Sequence, residues 1–107
     1  MAEQSNTIVF NMTIKVSWEI VEGWLAWQKT HHIPAHLATG TFDDYGLYRL
    51  LEQDEDEGPT FIIQYFTSSL ERYQEYLTEF APALQRAAQE KWGAGFIAFR
   101  TLMEGLG

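Results

Sequence analysis

The sequence contains no cysteine. That removes disulfides, thiolate zinc sites and cysteine nucleophiles from consideration. Positive charge is scarce: 7 Lys and Arg stand against 15 Asp and Glu, for a net charge of −8. With no basic cluster to offset that sign, a phosphate backbone would be repelled, and no nucleic acid partner is expected. Long apolar runs are missing too. None approaches the roughly 18 residues that cross a bilayer, so no membrane partner is expected either. The opening residues, Met1-Ala2-Glu3-Gln4-Ser5-Asn6, are polar and acidic, unlike the basic start and apolar run of a signal peptide. The expected location is cytoplasmic.

What is present is core-forming material. Of 107 residues, 46% are hydrophobic and 15% aromatic, which suits one domain over 1–107 and is too little for two independent cores. Residues 1–6 are expected to be flexible. At this size the buried fraction is modest, so pairing would help.

The clearest element is the first strand, where Ile8, Phe10, Met12 and Ile14 alternate with Val9, Asn11, Thr13 and Lys15. Ser17 then reads as a helix N-cap, followed by Ile20, Val21, Trp24, Leu25 and Gln28 at helical spacing. Pro34 should end that helix near His32 and open a short piece to Thr39, with Gly40 at C′. A second strand is expected over 42–52, with Gly46 marking a bulge or a close contact. An acidic connection, 53–59, leads to a buried strand, Phe61 to Phe66. Ser68 and Glu71 have capping-box form, and Leu70, Tyr73, Tyr76, Leu77 and Phe80 continue as a helix that Pro82 kinks or restarts. A final apolar strand runs from Phe96 to Met103.

The order strand, helix, strand, strand, helix, strand predicts a ferredoxin-like α+β fold, βαββαβ, with a four-stranded antiparallel sheet and both helices on one face. Parity then assigns the open face: Val9, Asn11 and Thr13; Ile62, Gln64 and Phe66; Phe96, Ala98, Arg100 and Leu102; and, in the ambiguous second strand, Leu47, Arg49 and Leu51. So apolar a surface marks an interaction site, and a second copy packed face to face would bury it. A homodimer of the dimeric α+β barrel type is the expected partner state, with the polar minority lining a small cavity.

Several segments resemble a known family. Trp24-Leu25-Ala26-Trp27 with His32-Ile33-Pro34, Ala38-Thr39-Gly40-Thr41-Phe42, Gln64-Tyr65, Ser69-Leu70-Glu71-Arg72-Tyr73, Ala81-Pro82-Ala83-Leu84 and Ala98-Phe99-Arg100-Thr101-Leu102 carry the likeness in order over nearly the whole chain. Together they resemble an uncharacterised bacterial domain-of-unknown-function family. The resemblance implies relation to the dimeric α+β barrel group, which includes antibiotic-biosynthesis-type monooxygenases. It carries over no catalytic residues, and fold alone does not choose between enzyme and binding protein.

The candidate chemistry is sparse. His31, His32 and His36 could supply a general base, and His32 and His36 are four apart, but no Glu or Asp lies between them and Pro34 intervenes. Capping or packing is the default reading, and no metal is expected. Trp24 and Trp27 could shape a pocket or simply fill the core. Arg49 and Arg100 need partners in strands: an acidic side chain such as Glu52, Glu104, Asp43 or Asp44, or a ligand carboxylate or enolate. Asp54-Glu55-Asp56-Glu57-Gly58 lacks the ligand positions of a calcium loop and reads as a solvated hairpin loop. Asn11-Met12-Thr13 is a sequon inside a predicted strand and is discounted.

The resulting reading is a small dimeric protein binding a small apolar ligand or partner through a sheet/helix cavity, with no cofactor. Asn11, Trp24, Trp27, Gln64 and Arg100 are its ligand-binding candidates. The alternative is a cofactor-independent enzyme, monooxygenase- or isomerase-like, with His31 or His32 as base and Arg100 or Asn11 holding an oxyanion. A third reading is a protein-interaction adaptor using the acidic loop.

Overall fold

The computed structural model describes residues 7–107, so the flexibility expected of residues 1–6 lies outside the described residues. Four strands, β1 (Ile8–Val16), β2 (Asp44–Arg49), β3 (Thr60–Thr67) and β4 (Phe96–Glu104), form one antiparallel sheet in the order β2-β3-β1-β4. Two helical arms cover one face. The first is α1 (Val21–Trp27), a π-helical turn (Gln28–His32) and α2 (Ile33–Ala38); the second is α3 (Leu70–Glu79) and α4 (Ala81–Trp92), closed by a 3₁₀ turn (Gly93–Gly95). This is the ferredoxin-like βαββαβ arrangement that the element order predicts.

The alternation in β1 sets the core. Ile8, Phe10, Ile14 and Val16 are buried beneath the helices, because side chains two apart share a face. Phe10 is the hub: its ring centroid lies 5.4 Å from both Tyr73 and Tyr76 of α3 and 6.0 Å from Phe42. Burying such a ring contributes about 2–3 kcal/mol.

Register corrects two of the face assignments. Residues paired directly across a ladder share a face. β3 presents Phe61, Ile63 and Tyr65 to the helices and Ile62, Gln64 and Phe66 to the open side, as predicted. In β2, Leu47 pairs with Ile63 and Arg49 with Phe61, so Leu47 and Arg49 face the helix side rather than the open one. In β4, Phe96, Ala98, Arg100 and Leu102 pair with Val16, Ile14, Met12 and Phe10. They too lie on the helix side, and Ile97, Phe99, Thr101 and Met103 occupy the open face instead. Both β4 faces are apolar in sequence, so alternation had nothing to report. The open face is still greasy: Ile97 is 59% exposed and Phe99 64%.

The first arm departs from expectation at both ends of its first piece. Ser17 Oγ accepts from the Glu19 N–H at 3.3 Å within a turn, and the helix begins only at Val21. The arm does not stop at His32. Ile33 keeps helical angles (φ −63°, ψ −47°) although Pro34 follows, and its N–H reaches back five residues to the Gln28 carbonyl. The wider π turn accommodates a proline that has no N–H to give. Gly40 does sit just past the arm, at φ +78°, the left-handed geometry glycine supplies at no steric cost.

Elsewhere, Ser69 rather than Ser68 caps α3, accepting from the Arg72 N–H at 3.2 Å. The backbone breaks at Phe80 (φ −124°), with Pro82 in the first turn of α4, as expected. β2 is shorter than predicted. Gly46 is the close contact foreseen, covered by the ring of Tyr48, and the ladder runs past it without a bulge. The acidic loop is exposed yet anchored: Lys15 Nζ donates to the Asp54 carbonyl at 3.0 Å, Trp18 Nε1 to the Glu55 carbonyl at 2.7 Å, and Arg49 pairs with Glu55 at 2.6 Å.

Candidate functional site

A cavity of about 340 Å³ opens between the second helical arm and the β1–β4 half of the sheet. The sheet contributes Phe10, Met12, Phe96, Ala98 and Arg100; the first arm His32 and His36; α3 Tyr76; and α4 Leu84, Gln85, Ala88 and Gln89. Its size falls within the range of small-molecule sites, and its walls are mostly apolar with a few converging polar groups.

The π turn brings the histidines here. Trp24, Gln28, His32 and His36 are spaced by four, and all are buried. At 3.6 residues per turn such a row drifts about 40° per step, roughly 120° over its length. The wider turn between Gln28 and His32 takes up part of that drift, so both ends of the row point at the sheet.

Burial fixes the chemistry of this pair. His32 is 8% exposed and His36 2%. Desolvation, joined by the neighbouring His36, holds the His32 pKa down at about 3. Burial brings that of His36 to about 4, against a hydrogen bond from the ring to the His32 carbonyl that works the other way. Both rings are neutral at pH 7. His36 Nδ1 lies 2.8 Å from the His32 carbonyl oxygen. A carbonyl can only accept, so Nδ1 carries the proton and Nε2 is left as a bare acceptor. The rings are locked by stacking: His36 on Tyr65 at 4.6 Å, His32 on Trp27 at 4.3 Å, and edge to face with each other at 4.7 Å. Burial, aided by Tyr73, pushes the Tyr76 hydroxyl well above its usual range while nearby Arg100 pulls it down. That hydroxyl therefore stays protonated, a donor.

Beneath the main cavity lies a pocket of about 30 Å³ bordered by Gln28, His32, His36 and Tyr65. Among the described residues, Gln28 Oε1 and the Tyr65 hydroxyl are buried without a hydrogen-bond partner.

The sequence-derived candidates are scattered by this geometry. His32 and Arg100 meet at the cavity. His31 is exposed, its Nδ1 2.7 Å from Thr30 Oγ1. Trp24 is core, its ring 5.2 Å from Phe61, and Trp27 backs His32 from behind, without lining the cavity. Asn11 and Gln64 lie on the opposite face of the sheet, joined by a 3.2 Å hydrogen bond from Gln64 Nε2 to Asn11 Oδ1. Arg49 pairs with Glu55, which was not among its expected partners. Sequence reasoning left out Gln28, Tyr65 and Tyr76 and did not retain His36. The spacing-four row was the signal for two of these, hidden by the assumption that Pro34 ends the helix. Among the described residues, no three His, Asp or Glu side chains group as metal ligands, and no helix is long and apolar enough to cross a membrane.

A family model described as a domain of unknown function (DUF4286) matches residues 7–106. No curated protein matches the chain. Solved structures share its fold. An "ethyl tert-butyl ether d (ethd) family" protein from Bacillus halodurans aligns with TM-score 0.63 and 17% identity, over 94% of this chain and 98% of that one. A cofactor-independent oxygenase from Streptomyces nogalater gives 0.67 and 13%, over 96% of each chain. A dimeric ferredoxin-like protein of unknown function from Thermobifida fusca gives 0.55 and 14%, again over 96% of each.

Proposed function

The chain belongs to the DUF4286 family of unknown function, and from that premise we propose that it is a homodimeric small-ligand-binding protein whose ligand occupies the cavity between α4 and the β1–β4 half of the sheet. One observation carries this reading: a 340 Å³ cavity collects two buried neutral histidines, Tyr76 and Arg100 against apolar walls. The dimer is supported by the open face, where Val9, Ile62, Phe66, Ile97, Phe99 and Met103 form a surface too apolar for bare solvent. The Thermobifida fusca neighbour is itself described as dimeric. One domain per chain and a cytoplasmic location belong to the same reading.

Light scattering tests the pairing; a monomer at tens of micromolar would overturn it. The cavity is tested by an NMR screen of small aromatic fragments. Hits should shift His32, His36 and Arg100 signals and vanish in Ala88→Trp, which fills the space. Hits that gather on another surface would refute the assignment.

A second reading, a cofactor-independent enzyme, is favoured by the fixed tautomer of His36. Its bare Nε2 can accept a proton, with Arg100 placed to hold an oxyanion; Asn11, on the far face, drops out of that role. Deuterium exchange into an enolisable aryl ketone, followed by NMR, checks this. Exchange no faster than in buffer, or unchanged in His36→Gln, would dismiss it.

A further inference from the structure

We infer that the cavity takes a small apolar monoanion, its carboxylate held by Arg100 at the mouth and its hydrocarbon body lying inward between Phe10, Met12, Leu84 and Phe96. This inference rests on the cavity reading above and narrows it to a ligand class.

The chain carries −8, and 15 carboxylates are available to neutralise its cations. Among the described residues the ion pairs are Arg49 with Glu55 and Arg72 with Asp43; Arg100 takes part in neither. Among the described residues no Asp or Glu lines the cavity, and Arg100 is its only charged side chain. The two histidines add no charge at neutral pH, because desolvation keeps them unprotonated. The cavity is therefore a net +1 recess in an acidic protein, with its cation unanswered from within.

The polar groups around Arg100 fit an anion rather than a second cation. Tyr76 keeps its proton and can donate, and the side-chain amide of Gln85 stands on the α4 rim, while that of Gln89 donates to the Gly93 carbonyl oxygen at 3.1 Å. A planar carboxylate matches the guanidinium fork with two parallel hydrogen bonds. Further in, the walls are mostly carbon, and the polar groups among them are the neutral imidazoles of His32 and His36. A second anionic group there would find no second cation, which restricts the ligand to a single charge at one end.

The test is calorimetric titration of the full chain with 2-naphthoate and with its neutral analogue 2-naphthylmethanol. The acid is expected to bind, and the alcohol to bind more weakly. Arg100→Gln should weaken the acid about ten- to a hundredfold, the worth of a charge-assisted hydrogen bond, leave the alcohol unchanged, and be partly rescued by Arg100→Lys. Arg100 is exposed on an edge strand, so these variants keep the fold; circular dichroism confirms it. Equal binding of acid and alcohol, with no effect of Arg100→Gln, overturns the anion class while leaving the cavity reading standing. Binding of neither probe overturns both.

Discussion

The buried histidine pair gives the protein a built-in sensitivity to acid, and its size follows from the structure. In the unfolded chain each imidazole takes a proton near its ordinary value of 6.5; in the folded chain His32 holds out to about 3 and His36 to about 4. As pH falls through 6.5 the unfolded state binds protons that the folded state refuses, so stability present above that point is lost on acidification. At pH 5 nearly all unfolded histidine is protonated and almost none of the folded pair. The difference is about 2 kcal/mol for each ring, or about 4 kcal/mol together. Against a total of roughly 5–15 kcal/mol for a domain, that is a large share.

Carboxylates also protonate in acid, so wild type alone would not isolate the effect. Urea denaturation at pH 8, 6.5 and 5, at one protein concentration, should therefore be run beside His32→Leu, His36→Leu and the double variant. Each single variant should lose about 2 kcal/mol less than wild type between pH 8 and 5, and the double variant about 4 kcal/mol less, whatever their stability at pH 8. Parallel loss in wild type and variants would refute the reasoning, because it would mean that the rings already titrate normally in the folded protein.

Other outcomes follow from single positions. Phe10→Ala removes the ring that holds α3 on the sheet and should cost about 3–5 kcal/mol by urea denaturation. Gly58 sits at φ +148°, where an added Cβ would collide with the Val16 carbonyl oxygen; Gly58→Ala should cost about 3 kcal/mol or more, or prevent folding. Gly40→Ala, at φ +78° with open space around it, should cost only about 1 kcal/mol in the same assay. Phe99→Glu places a charge on the open face and should abolish the proposed pairing in light scattering, with the circular dichroism spectrum unchanged.

The legible parts of the fold are those where a strand gathers its polar residues on one face. β1 alternates cleanly, and its parity was correct. β3 agrees with its assignment: Ile62, Gln64 and Phe66 face outward, and Phe61, Ile63 and Tyr65 pack on the same face as Phe10 and Ile14. β4 offers no such contrast. Phe96, Ala98 and Leu102 are as apolar as Ile97, Phe99 and Met103, so which set faces the helices is decided by pairing with β1, a tertiary fact. A one-residue change of parity moved Arg100 from the open face into the cavity. β2 failed for a similar reason, with apolar side chains on both of its faces. The anchoring of the acidic loop was hidden too, since backbone carbonyls accept two of its bonds and no sequence pattern reports them.

The misreading of Pro34 and the assembly of the site have one cause. Proline disfavours a helical residue before it and supplies no N–H, so a straight α-helix should end at His32. The chain instead widens by one residue, letting Ile33 bond to Gln28. Had the helix ended there, His36 would belong to an independent piece with no defined relation to His32. Had it continued as unbroken α, the row from Trp24 to His36 would wind about a third of the way round the axis. Only the wide turn keeps Trp24 in the core while His32 and His36 touch at 4.7 Å beneath the cavity. The proline that marks a helix end in the sequence thus marks, in the folded chain, the place where two neutral imidazoles are brought together.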